Sequence, residues 1–155
     1  MKEKMDIFGR LRGKKVMLID DDKWIRNSLR LYFEGEGINL LALETAEEGL
    51  KELKKHPYDI FIVDYRLPGI DGLEFFKRVQ SSHPEAYKII ITAYKDQNMV
   101  SQASKIGISD FIEKPFSIKA IEKSLTWELK RQDLKRKTFP TTQQSLHKGE
   151  QNEEI

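Results

Sequence analysis

The chain has 155 residues, with 27 lysines and arginines against 25 aspartates and glutamates for a formal net charge of +2. That length predicts one domain with its own core, and the near balance of charge excludes an obvious nucleic-acid or membrane-surface binder. The absence of cysteine excludes a disulfide framework and a thiolate metal site, and no apolar run approaches the roughly 20 residues that span a bilayer.

Residues Met1 to Lys15 are polar and basic around Ile7, Phe8 and Leu11, hold no signal-peptide region and read as a disordered arm. Val16 to Ile19 is the first apolar strand, and it ends in Asp20-Asp21-Asp22. Trp24, Ile25, Leu29, Tyr32 and Phe33 then recur at helical spacing, with Asp22 as N-cap and Gly35 or Gly37 as the stop. A second strand spans Ile38 to Leu43. Thr45 and Glu48 form a capping box for a helix with Ala46, Leu50 and Leu53 inward. Tyr58 to Asp64 is the central strand, because Ile60 to Val63 is apolar on both faces and Asp64 is the first residue able to meet water. Pro68, Gly69 and Gly72 make the following loop, and a third helix from about Asp71 buries Leu73, Phe76 and Val79. The fourth strand, Lys88 to Ile91, ends in Thr92-Ala93. A fourth helix runs from Asp96 to Ile106, closed by Gly107. Ser109 to Ile112 is the fifth strand, running into Glu113-Lys114-Pro115-Phe116, and Ser117 caps a last helix whose inward stripe is Ile118, Ile121, Leu125 and Leu129.

Strands alternating with helices at short spacing predict a doubly wound parallel α/β sheet with helices on both faces. No glycine-rich phosphate loop or zinc-ligand pattern is present, which removes dinucleotide enzymes and P-loop NTPases. Four strands end in groups with chemistry: Asp20 and Asp21, Asp64, Thr92 and Lys114. In such sheets the carboxyl edge of the strands is the binding edge. Clustered carboxylates suit Mg²⁺, while a lysine and a hydroxyl complete an anion site in which Asp64 can act as a nucleophile on phosphorus.

In these motifs, Asp20-Asp21 after a strand, Val63-Asp64 with Leu67-Pro68-Gly69 and Asp71-Gly72, Thr92-Ala93 and Lys114-Pro115-Phe116, the sequence resembles the receiver domain of two-component response regulators. The resemblance covers about Lys14 to Leu134. It implies a five-stranded, flavodoxin-like (CheY-like) sheet in the order 2-1-3-4-5, with an arm over 1–14, the receiver over 15–136 and a disordered polar tail over 137–155. It further implies that Asp64 accepts a phosphoryl group from a sensor histidine kinase or phosphotransfer protein. Mg²⁺ would be held by Asp21, by Asp64, by Asp20 mainly through water and by the backbone carbonyl of Arg66. Thr92 and Lys114 would hold phosphoryl oxygens, the Lys114–Pro115 bond would be cis, and Phe111 would be the aromatic switch. Phosphorylation would then change the surface of the fourth helix, fifth strand and last helix.

The expected protein is a cytoplasmic signalling switch rather than an enzyme, beyond its own phosphorylation and dephosphorylation. An aspartate-nucleophile phosphatase would carry a second Asp where Arg66 stands. The alternative reading is a constitutive interaction module without phosphoryl transfer. Tyr94, two residues after Thr92, is placed to shield an acyl phosphate from water. Trp127 lies off the inward stripe of the last helix and shares a face with Leu134, so it is a candidate contact for a homodimer or an output partner. The basic run from Lys130 to Lys137 favours a helix C-terminus, and with no winged or helix-turn-helix domain after it, DNA binding by this chain is not expected.

Overall fold

A computed structural model of the chain describes residues 2–146, with side chains from 7 to 135. Five parallel strands, β1 (Lys15–Ile19), β2 (Asn39–Leu43), β3 (Ile60–Asp64), β4 (Tyr87–Thr92) and β5 (Asp110–Glu113), lie in the order β2-β1-β3-β4-β5. Six helices surround them: α1 (Lys2–Leu11), α2 (Lys23–Gly35), α3 (Ala46–Leu53), α4 (Gly72–Val79), α5 (Gln97–Lys105) and α6 (Ile118–Leu146). The order is the doubly wound one expected from the sequence. The fourth helix of that reading is α5, because α1 precedes the first expected helix.

Side-chain alternation along the strands divides the core in two. Val16, Leu18, Ile60, Ile62, Ile89 and Ile91 meet α1, α2 and α6, whereas Met17, Ile19, Phe61, Val63 and Ile90 meet α3, α4 and α5. Strands buried on both faces must be apolar throughout, which is why β1 and β3 read as uninterrupted runs. Helix entries are fixed by side-chain caps. Asp22, Thr45, Asp71 and Asp96 accept backbone N–H bonds at four helix starts, and the Thr45–Glu48 pair closes as a capping box.

Three expectations fail. The expected arm is ordered over its described residues, 2–14: α1 buries Phe8 and Leu11, and the Phe8 ring meets Tyr32 edge-on at 5.7 Å. Arg10 pairs with Asp133 at 2.9 Å, and Arg12 Nε donates to the Glu36 carbonyl at 3.1 Å. Ile7, Phe8 and Leu11 form only one short apolar face, and the surface that receives it exists only once α2 and α6 are in place. Truncating Phe8 to Ala should therefore cost about 3 kcal/mol in urea denaturation, with Leu134→Ala near zero as the exposed control.

The second failure is the tail. Helix α6 continues to Leu146, through Pro140, so the first residues of the expected tail are helical, while 147–155 lie outside the described residues. Extending an existing helix adds a hydrogen bond per residue fixed, so weak formers such as Thr141 and Thr142 can follow a packed segment that nucleates for them. The third is Trp24, read as part of the apolar stripe of the first expected helix but 81% exposed. The inward face of α2 is made by Ile25, Leu29, Tyr32 and Phe33 without it.

Candidate functional site

Ladder register brings the expected groups to one edge. Ile19 pairs with Val63, Asp64 with Ile91 and Thr92 with Glu113, so Asp20, Asp64, Thr92 and Lys114 leave adjacent strands side by side. Asp20 is fully buried, Asp64 is 5% exposed and Asp21 faces solvent. One oxygen from each of these three carboxylates lies within 4.8 Å of the other two. Lys114 Nζ bridges the buried pair, 3.0 Å from Asp64 Oδ2 and 3.2 Å from Asp20 Oδ2.

The loops hold this arrangement locally. The Asp22 amide donates to Asp20 Oδ1 at 2.9 Å, and Arg26 Nη1 donates to the Asp20 carbonyl at 3.0 Å, tying the β1–α2 turn together. After β3, the Arg66 amide donates to Asp64 Oδ1 at 3.3 Å and the Gly72 amide to the Tyr65 carbonyl at 2.9 Å. A Cβ on Gly72 would stand 2.4 Å from the Asp64 carbonyl oxygen. Because that neighbour is backbone, Gly72→Ala must displace the β3–α4 loop; a loss of about 2 kcal/mol is expected by chemical denaturation, with weaker metal binding in the same sample.

Electrostatics mark Asp20 as the tense member. Burial, the largest cause, raises its pKa; the Asp22 amide and Lys114 pull it down and Asp64 pushes it up, with a result of about 6. For Lys114, burial opposes the charge, but the bond to Asp64 and the nearby Asp20 outweigh it and the pKa is raised. Asp20 Oδ2 is also a buried oxygen without a hydrogen bond among the described residues, with only the 3.2 Å ion pair to Lys114.

That orphaned oxygen within a cluster of three carboxylates fits a hard divalent cation such as Mg²⁺. A cation must displace the proton on Asp20. Mg²⁺ affinity is therefore expected to rise about fivefold from pH 5 to 6 and to level off above pH 7, as read by isothermal titration calorimetry.

The remaining expected residues are near but not engaged. Thr92 is buried, and its hydroxyl donates to the Tyr94 carbonyl at 3.0 Å and accepts from the Tyr94 amide at 3.1 Å, so it is folded onto its own loop. Tyr94 itself is 73% exposed. Phe111 is half-buried against the α3–α5 side of the core, with Lys95 Nζ 5.7 Å from its ring centroid. The Lys114–Pro115 bond is cis. Sequence reading missed Arg26, whose role depends on a side chain folding back six residues, and Lys95, which faces Phe111 only through the β4–β5 pairing. It also missed that Trp24 stands beside the site, lining with Ile25, Pro115 and Phe116 a groove of about 720 Å³ next to Lys114.

The family model described as response regulator receiver domain matches residues 16–126. The chain belongs to the response regulator receiver domain family. Receiver-bearing relatives include the DNA-binding transcriptional regulator NtrC of Escherichia coli, 35% identical over 103 residues, which are 66% of this chain and 22% of that protein. A cyclic di-GMP phosphodiesterase of Thermotoga maritima is 29% identical over 115 residues, 74% of this chain and 31% of the relative. The chain thus spans less than a third of the length of these two relatives. A CheY-like response regulator receiver domain protein from Methanospirillum hungatei superposes with a TM-score of 0.73 at 24% identity, covering 79% of this chain and 98% of that one. As a receiver domain the chain is part of two-component signalling, and no helix among its described residues is long and apolar enough to cross a membrane.

Proposed function

We propose that this receiver domain is a phosphorylation switch in which Asp64 takes a phosphoryl group from a sensor histidine kinase or phosphotransfer protein. The observation that carries the reading is the Lys114 ammonium held between the nearly buried Asp64 and the fully buried Asp20, with Asp21 within reach. An Asp64 carboxylate oxygen attacks phosphorus, the donor's P–N or P–O bond breaks, and an acyl phosphate forms; attack by water later releases phosphate. Mg²⁺ held by Asp20, Asp21, Asp64 and the Arg66 carbonyl would supply positive charge opposite the phosphoryl oxygens.

Lys114 already touches Asp64, so it can follow the new phosphoryl oxygen while giving up Asp20. Thr92 must release the Tyr94 backbone before its hydroxyl can bind the same group, and that exchange moves the β4–α5 loop beside Phe111. The switched surface is α5, β5 and α6, where a second copy or an output partner would bind. The groove beside Trp24 and Phe116 gives a donor protein an apolar footing next to Lys114. The protein works in the cytoplasm under this reading, without itself binding DNA.

Borohydride reduces an acyl phosphate to an alcohol. After treatment with acetyl phosphate and Mg²⁺, peptide mapping should find homoserine at position 64. Reduction at another carboxylate would overturn the assignment of Asp64.

A further inference from the structure

Helix α3 lies closer to the sheet than a side chain at position 49 would allow. A Cβ on Gly49 would stand 2.7 Å from Ile19 Cδ1 and 3.0 Å from Phe75 Cε1, so the missing side chain lets α3 settle against β1 and α4 at once. The first turn of α3 carries two glutamates with different employment. Glu48 turns back on the helix start, where its Oε1 accepts from the Glu44 and Thr45 amides at 3.1 Å. Glu47 instead crosses to the β3–α4 loop, and its Oε2 accepts from the Ile70 amide at 3.1 Å over a separation of 23 residues.

That bond reaches the loop where it has least of its own. Among the described residues it is the only hydrogen bond made between Leu67 and Ile70, whereas the loop's ends are fixed by the Arg66 amide on Asp64 and the Gly72 amide on the Tyr65 carbonyl. Gly69 has a φ of +77°, and a Cβ there would collide with the same Glu47 oxygen. Glycine at this position thus serves twice, by taking the left-handed turn and by leaving the carboxylate its space.

We propose that Glu47 is a positioning residue: through the Ile70 amide it holds the β3–α4 loop in the place that keeps the Arg66 carbonyl and the Asp64 carboxylate in one metal site. Glu47 lies outside the cluster of three carboxylates and acts through the loop backbone alone. The inference rests on the reading of that cluster as a Mg²⁺ site and adds a residue from a different helix to it. The competing role for Glu47 is a negative charge at a helix N-terminus, which would steady α3 and be lost equally in an amide or an alanine.

Glu47→Ala and Glu47→Gln separate the two roles, because glutamine loses the charge but keeps an oxygen for the Ile70 amide. In the full chain without metal, hydrogen exchange of the Ile70 amide followed by NMR should quicken about fivefold or more in Glu47→Ala and stay within about twofold of wild type in Glu47→Gln. Isothermal titration calorimetry should show Mg²⁺ bound about threefold more weakly by Glu47→Ala and as in wild type by Glu47→Gln. An Ile70 amide that exchanges no faster in Glu47→Ala, or an equal loss of Mg²⁺ affinity in both variants, would overturn the proposal. A wild type that binds no Mg²⁺ would overturn the metal reading and this inference with it, whereas Mg²⁺ bound equally by wild type and Glu47→Ala would overturn the inference alone.

Discussion

Asp20→Asn should make the metal-free protein more stable and the switch inert. The Asp20 pKa of about 6 against 3.8 for an ordinary aspartate means that ionising this side chain in the folded state costs about 3 kcal/mol. The sign follows from the direction of the shift. Below about pH 4 the carboxyl is protonated whether the chain is folded or not, and nothing is lost; the penalty accrues as pH rises from 4 to 6 and is complete by pH 7. The amide keeps an oxygen for the Asp22 N–H and removes the repulsion with Asp64. In EDTA at pH 7.5, Asp20→Asn should therefore gain about 2 kcal/mol and melt about 5 °C higher, with the advantage gone at pH 4. In the same protein Mg²⁺ affinity should fall at least tenfold. A site that is destabilising when empty is one shaped for a bound cation.

Lys114→Met should act in the opposite direction on stability. Its ammonium is the only cation within salt-bridge distance of Asp20 or Asp64 among the described residues, so removing it leaves two nearly dry carboxylates facing each other. Breaking a buried pair this way costs about 3 kcal/mol or more. Calorimetric melting at pH 7.5 should show that loss, and lowering the pH to 5 should recover part of it as Asp20 takes up a proton. Phosphoryl loading from acetyl phosphate should slow by about two orders of magnitude, because the positive charge nearest the reacting oxygen is gone. A melting point unchanged from wild type would show that Lys114 is not the counter-ion of this pair.

What was legible in the sequence was whatever a residue states about its own neighbourhood. Ile60 to Val63 must be buried on both faces, Asp22 and Thr45 cap helices through bonds two or three residues long, and the order of the motifs decided which strand ends meet. What was missed depends on long-range assembly. Phe8 has no reason to be ordered until α2 and α6 form the surface it covers, and Trp24 satisfies a helical period yet stays exposed, lining the groove beside the site. At the site, the sequence named Asp20, Asp64 and Lys114 but not their unequal burial, and that inequality makes Asp20 the strained group. Thr92 was named for the phosphoryl group, and the structure adds that its hydroxyl is already committed to Tyr94.

The most direct test of the central claim is the intact mass of the protein after incubation with acetyl phosphate, with and without Mg²⁺, beside Asp64→Asn. One phosphoryl adduct should form, only with Mg²⁺ and only when Asp64 is present. An adduct of equal yield on Asp64→Asn, or none on a folded wild-type protein with Mg²⁺ bound, would contradict it and leave a constitutive interaction module in its place.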